Sequence, residues 1–434
     1  MKTSDYTYKT SFFADKRAYS RQNLRDAAQY VITFLKWTVI ATIVGIICGS
    51  VGVAFHYCVD IATEWRMEFP FLIYLLPLAG AAIVFLYHKA GRAKDAGTNM
   101  IIDSIRTQEK PPFCTAPLIF VSTALTHLFG GSSGREGAAL QIGGSLGASI
   151  GRLLKLGSKD MTLIVMCGMS AVFSALFGTP LTACIFSLEV ISVGSIYYSA
   201  LIPCLFSSLA AFEIAQLCKV PPTAFVIQNI PEFQLQTGIQ VVALAALCAV
   251  TAIVFCVSMH TAGHIYQKRL PNPYIRAAVG GVLVILLTLL VGTRDYNGAG
   301  MQVITSAMDG TAKWEAFLLK ILFTALTLGA GYKGGEIVPT FFIGSTFGCT
   351  AGALLGLDPG FAASVGLIAT FCGVVNCPIA SICLSIELFG ANGLLYYALA
   401  CAVTNLLSGR YSLYSSQRIV YSKLEPTYIN ERTR

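Results

Sequence analysis

The chain has 434 residues, 55% of them hydrophobic and only 12% charged, with 40 glycines. Soluble domains carry roughly 25% charged residues, so this composition excludes an ordinary soluble enzyme and points to lipid as the solvent. The formal charge of +8 does not signal nucleic acid as a partner, because much of the basic excess sits at the two ends.

Before Trp37 stand Lys2, Lys9, Lys16, Arg17, Arg21, Arg25 and Lys36 against Asp5, Asp15 and Asp26. After Ser408 come Arg410, Arg418, Lys423, Arg432 and Arg434 against Glu425 and Glu431. The positive-inside rule then puts both termini in the cytoplasm of a multi-pass protein of the cell's inner or plasma membrane. The first thirty residues are polar, which predicts no cleaved signal peptide. Fourteen cysteines are scattered through apolar runs without a CxxC pair, so neither structural disulfides nor a metal site is expected.

Asp26 to Ala62 reads as one long helix, amphipathic at first and then apolar enough to span and tilt. A second span, Phe71 to Tyr87, ends at His88, Lys89 and Gly91. The polar interval GRAKDAGTNMIIDSIRTQEKPP follows, and its GTNM piece suits a broken backbone facing a cavity. Ala116 to Phe129 leads into GGSSGREGAALQIGGSLGASIG, residues 130–151. Glycines there let backbone N–H groups converge. A helix starting at that point adds its unpaired N–H groups and the positive end of its dipole. Such a place suits an anion, and Glu136 is a carboxylate at its mouth. An acid inside an apolar membrane segment is costly and therefore a functional candidate, so Glu136 is read as the gate of an anion pathway.

Met161 to Phe177, Leu181 to Val193 and Tyr197 to Leu217 complete a first half, with a Gly178–Thr179–Pro180 break between the first two. The organisation expected is a terminal segment 1–25, a first membrane repeat 26–218, a linker 219–234, a second repeat 235–416 and a tail 417–434. The halves resemble each other. Ile142–Gly143 aligns with Ile343–Gly344 at an offset of 201, and Gly147 and Gly151 align with Gly348 and Gly352. Downstream, Pro180, Ser187 and Glu189 align with Pro378, Ser385 and Glu387. Short interrupted segments repeated in both halves point to a midplane transport site. Each half supplies one helix N-terminus to it.

These residues together resemble the CLC family of chloride channels and anion/proton exchangers over roughly residues 29–416. GREG at Gly134–Gly137 resembles the family's gating-glutamate motif, GGEIVP around Gly335 its second anion loop, and Tyr414 in SLYS its pathway-closing tyrosine. The resemblance implies an all-α polytopic fold of two inverted-topology repeats with broken half-helices, assembled as a homodimer with one pathway per subunit. It also implies a transporter and not an enzyme, with no cofactor. Where chloride-type members carry GSGIP this chain reads GTNMIID, Val190 stands where exchangers place an inner proton-carrying glutamate, and Glu336 replaces a usually apolar residue. Those departures resemble the fluoride branch. The resemblance to that branch implies export of fluoride in exchange for protons, with Glu136 and Glu336 handling protons. Gly134, Arg135, Gly137, Gly335, Ile337, Val338 and Tyr414 would line the anion route, together with Asn99 and Met100, although which of Thr98, Asn99 and Met100 faces the ion stays open. The alternative is a chloride-selective exchanger or passive anion channel.

Blander readings compete at several positions. Glu336 could be a membrane-surface residue paired with Lys333, and Arg135 a structural partner for loop carbonyls. Tyr414 could belong to an interfacial aromatic belt. Glu189 and Glu387 read as a shared structural feature near helix ends. His260 and His264 stand four apart without an acidic or cysteine partner, so polar packing is expected. Gly-x-Ser-x-Gly around Ser132 lacks the strand and soluble sheet that a hydrolase elbow needs.

Overall fold

The structure, a computed structural model, describes residues 4–93, 95–107 and 109–434, with side chains described at Asn23 and from Arg25 onward. The basic residues from Lys2 to Arg21 used in the charge argument lie outside the described side chains. In the first half the helices are α1 Ser4–Glu68, α2 Leu76–Lys89, α3 Thr98–Thr107, α4 Thr115–Leu128, α5 Glu136–Leu153, α6 Ser158–Phe177, α7 Pro180–Glu189 and α8 Leu201–Leu217. The second half holds α9 Leu235–Arg269, α10 Pro273–Val291, α11 Met301–Met308, α12 Ala316–Gly329, α13 Ile337–Leu354, α14 Pro359–Val375, α15 Pro378–Phe389 and α16 Leu394–Leu407. Three short strands join them: β1 Ser192–Val193, β2 Arg418–Tyr421 and β3 Tyr428–Arg432. Among the described residues seven helical spans are long and apolar enough to cross a membrane, while α4, α7, α12 and α14–α16 are shorter apolar helices. The chain is therefore a multi-pass membrane protein. GTNM, expected as broken backbone, opens instead into the ten-residue α3, and only Gly97 before it takes a left-handed turn at φ 63°.

Local chemistry repeats with the sequence. α6 ends on Gly178 and α14 on Asn376, both left-handed, and each is followed two residues later by the proline that opens the next helix. A left-handed residue closes a helix, and proline at the first position costs nothing because its N–H would be unpaired anyway. The halves are inverted with respect to each other. Glu189, at the end of α7, accepts from the N–H groups of Ile379 (3.2 Å) and Ala380 (2.8 Å) at the start of α15. Glu387, near the end of α15, accepts from Leu181 (2.8 Å) and Thr182 (2.9 Å) at the start of α7. α7 and α15 thus run antiparallel, each acid capping the positive end of the other helix.

The centre is built from the pairs α5/α6 and α13/α14, which cross through glycine. A Cβ on Gly143 would lie 2.1 Å from the Gly168 carbonyl oxygen, and one on Gly344 would lie 2.5 Å from that of Gly366. Between helices in lipid, close backbone approach supplies the packing that water would otherwise drive. α6 is buried almost all round, whereas Ile239, Leu286, Leu289 and Leu290 point outward as a lipid-facing surface does.

Lys36 of α1 bonds Asp160 at the start of α6 (2.5 Å), and Thr162 reaches the end of α3 through the Ile105 carbonyl (3.5 Å). Arg106 of α3 in turn holds the Ser416 carbonyl (3.0 Å), so the start of the first span and the C-terminal segment lie at one face. There β2 runs parallel to β1 and antiparallel to β3.

Gly143→Val, which drives a branched side chain into the α6 backbone, is expected to cost about 3 kcal/mol or more. Size-exclusion chromatography in detergent should show loss of monodisperse protein, while Gly157→Ala, which enters open space, leaves the profile unchanged.

Candidate functional site

Two half-helices meet head to head at the middle of the molecule. The loops before α5 and α13 are locked by reciprocal backbone bonds: Gly134 N–H donates to the Gly335 carbonyl, and Gly335 N–H to that of Gly134, both at 2.7 Å. Glycine is required at Gly335 on steric grounds. A Cβ on Gly335 would stand 2.6 Å from Gly137 N and 2.7 Å from Glu136 N, and one on Gly134 would stand 2.3 Å from Glu136 Oε2. The pairing brings together two sets of unpaired N–H groups and two positive dipole ends.

Glu136 fills the space they leave. Its side chain is fully buried, and Oε2 accepts from Arg135 N–H (3.0 Å) and Val338 N–H (3.2 Å), one amide from each half. Oε1 has no protein partner, nor do Glu336 Oε2 and the Tyr414 hydroxyl. An unpaired buried polar atom costs about 1–3 kcal/mol, and native proteins keep few of them. Gln141 Oε1 and Ser133 Oγ beside the same loops also lack a protein partner.

Glu336 immediately precedes α13 and turns toward Gly137, where an added Cβ would lie 3.1 Å from its Oε2. No ion pair with Lys333 occurs among the described residues; Lys333 Nζ sits 4.4 Å from the centre of the Tyr87 ring. Arg135 enters the site through its backbone N–H alone. Its guanidinium is turned to α1, where it meets His56 Nδ1 (2.8 Å) and Asp60 (3.1 Å), not loop carbonyls. Ile337 and Val338 form the first turn of α13 and bury their side chains. Tyr414 is 1% exposed, so it is buried and not part of an interfacial belt, and its hydroxyl has no protein partner.

Of the three residues at the start of α3, Thr98 touches the glutamate motif. Its hydroxyl donates to the Gly137 carbonyl (3.2 Å), and Gln141 Nε2 bonds both that carbonyl (3.1 Å) and Thr98 Oγ1 (3.3 Å). Asn99 points to the other side, its Oδ1 accepting from Ser416 N–H (2.9 Å), and Met100 Sδ lies 3.1 Å from Arg92 Nη2. Sequence reasoning overlooked Gln141; a lone amide among the apolar and small residues of α5, one turn after Gly137, was the available signal. It also overlooked His127, whose Nε2 lies 3.2 Å from the Gly134 carbonyl and therefore donates to it.

Val190 is buried, and its carbonyl accepts from Gln417 Nε2 (3.0 Å). Ser132 spends its hydroxyl on Thr324 (3.1 Å) and its N–H on Thr327 (3.1 Å), an arrangement that anchors the loop to α12. His260 donates from Nε2 to the Ser412 carbonyl (2.8 Å), which is polar packing.

The same architecture recurs in known proteins. Residues 79–409 match the family model described as voltage gated chloride channel. A chloride/fluoride channel protein of Pseudomonas syringae pv. tomato is 36% identical over 89% of this chain and 87% of its own length. The H(+)/Cl(-) exchange transporter ClcA of Vibrio cholerae is 25% identical over 84% of this chain and 83% of its own. A solved CLC-type fluoride/proton antiporter superposes with a TM-score of 0.85 at 29% identity, covering 88% of this chain and 98% of that one. Two inverted halves, paired glycine loops and a glutamate held between them thus coincide with a match across most of the sequence, and the chain belongs to the voltage gated chloride channel (CLC) family.

Proposed function

We propose that the protein exports fluoride in exchange for protons across the cell's inner membrane, as a homodimer with both termini in the cytoplasm. The observation that carries this reading is the Glu136 carboxylate resting on amides from both halves of the repeat. Ionised, it occupies the anion position itself. Protonated, it has lost the charge that the dipoles hold, and the same amides receive the anion. One side chain then handles both substrates, and exchange follows.

Fluoride is small and strongly hydrated, so the route must return good hydrogen-bond donors for the water it loses. The loop amides and the Tyr414 hydroxyl are such donors. Glu336, with one oxygen lacking a protein partner beside Gly137, is the second proton carrier. It serves in place of the position that Val190 occupies. Support for fluoride comes from this second carboxylate and from the fluoride-handling relatives named above. The chloride reading draws on the match to the Vibrio cholerae exchanger and on Val338, an apolar side chain at a site amide.

Purified protein in liposomes under an imposed proton gradient separates these readings. Fluoride flux accompanied by proton movement, with chloride flux much smaller, is the expected result; chloride transported equally well overturns the fluoride assignment, and anion flux without protons makes the protein a channel. Glu136→Gln should lower coupled proton flux by roughly a hundred-fold or more, since an amide cannot titrate. Glu336→Gln should give slowed or uncoupled exchange, and a variant with wild-type coupling removes Glu336 from the proton route.

A further inference from the structure

We propose that the segment following Tyr414 is a working part of the mouth of the pathway, with Thr433 and Ser416 acting as positioning residues for the Tyr414 hydroxyl. The proposal rests on the reading above, in which Tyr414 lines the anion route. Tyr414 belongs to a loop without helical structure, and its hydroxyl has no protein partner. A group that nothing holds at its tip inherits its position from its own backbone. What grips that backbone therefore decides where the donor points.

The grip comes from two sides. From the tail, Thr433 Oγ1 donates to the Tyr414 carbonyl (2.7 Å) and lies 3.2 Å from that of Gln417. Thr433 N–H also donates to the Gln417 carbonyl (3.1 Å), and Ser412 N–H to the Arg434 carbonyl (3.1 Å). The hairpin that delivers these residues is fixed in turn. β2 is paired with β1, Arg410 pairs with Glu431, and Lys423 Nζ is bonded to Asn376 Oδ1 (2.5 Å) and the Asn405 carbonyl (2.6 Å). From α3, Asn99 Oδ1 takes the Ser416 N–H, Asp103 Oδ2 takes the Ser416 hydroxyl (2.5 Å), and Arg106 donates to the Ser416 carbonyl (3.0 Å). Thr98, next to Asn99, touches Gly137. A continuous set of bonds thus runs from the tail through the Tyr414 loop to the Glu136 motif, joining residues 98, 137, 414 and 433.

The test measures fluoride uptake from each side of proteoliposomes holding protein in one orientation. Thr433→Val keeps the shape and removes the hydroxyl donor. It is expected to raise the half-saturating fluoride concentration from the tail side about five-fold, the effect of one lost hydrogen bond. The value from the opposite side, the maximal rate within two-fold, and the proton-to-fluoride ratio should stay as in the wild type. Thr433→Ser should restore the tail-side value, and Ser416→Ala should reproduce the one-sided shift; the latter carries the test if Thr433→Val does not fold. No shift in the valine variant, an equal shift from both sides, or failure of serine to restore it overturns the proposal. Tyr414→Phe separates this from the underlying reading. If it leaves the tail-side value unchanged, Tyr414 is off the route and that reading fails; if it shifts the value while Thr433→Val does not, the role of the tail alone is wrong.

Discussion

Everything at the centre depends on the reciprocal bonds between Gly134 and Gly335. They press two helix N-termini together, and each end carries about half a positive charge. Left alone, two such ends repel. The arrangement persists because the backbone bonds clamp them and because a negative oxygen sits between them. Glu136 thus answers the electrostatics of the frame, its Oε2 taking one amide from each half. Stiffness behind the clamp comes from the glycine crossings of α5 on α6 and α13 on α14, where backbone touches backbone and little can give.

How much of this was legible in the sequence follows from the range of each interaction. The inverted halves were readable because the glycines of a helix crossing recur four residues apart and keep their spacing in both copies, from Gly143 and Gly147 to Gly344 and Gly348. Glu136 was readable because an acid in an apolar run is conspicuous. The direction of Arg135 was not: its partners His56 and Asp60 lie in α1, some 75 to 79 residues earlier, and nothing in the local motif encodes them. The same holds for Asn99, bonded 317 residues away to Ser416. Glu189 and Glu387 could be recognised as repeat mates near helix ends, but only the antiparallel packing of α7 on α15 supplies what each one caps. The terminal sheet escaped notice because its strands are four and five residues long and carry almost no alternating pattern.

Symmetry explains the frame, and the breaks in symmetry locate the chemistry. At the offset that aligns Gly134 with Gly335, Glu136 corresponds to Ile337, and Arg135 to Glu336. Had both halves carried glutamate at the first helical position, two carboxylates would have competed for one set of amides, and only one could ionise there without strong repulsion. Isoleucine in the second copy leaves the cradle to a single titrating group. The second acid is displaced by one residue, its Oε2 facing Gly137 and not sharing the amides that hold Glu136.

A comparable break occurs one layer out. Ile119 of α4 corresponds to Lys320 of α12, and both are buried. Lys320 donates to the carbonyls of Tyr296 (3.1 Å) and Gly298 (2.7 Å), and Gly298 N–H donates to Gly131 (3.1 Å). A lysine inside a membrane helix is expensive whether charged or neutral, so a purely symmetric scaffold would have kept isoleucine in both copies. Its presence in the second copy alone braces the loop that leads into Gly134, on the side where the first-half glutamate must be held. The loop before Glu136 is fastened by Lys320 through Gly298, by Thr324 and Thr327 on Ser132, and by His127 on Gly134, while the loop before α13 is held by Tyr332 on the Leu76 and Ala277 carbonyls. The bonds on Ser132 and Gly134 hold the backbone of the loop in place around the Glu136 side chain.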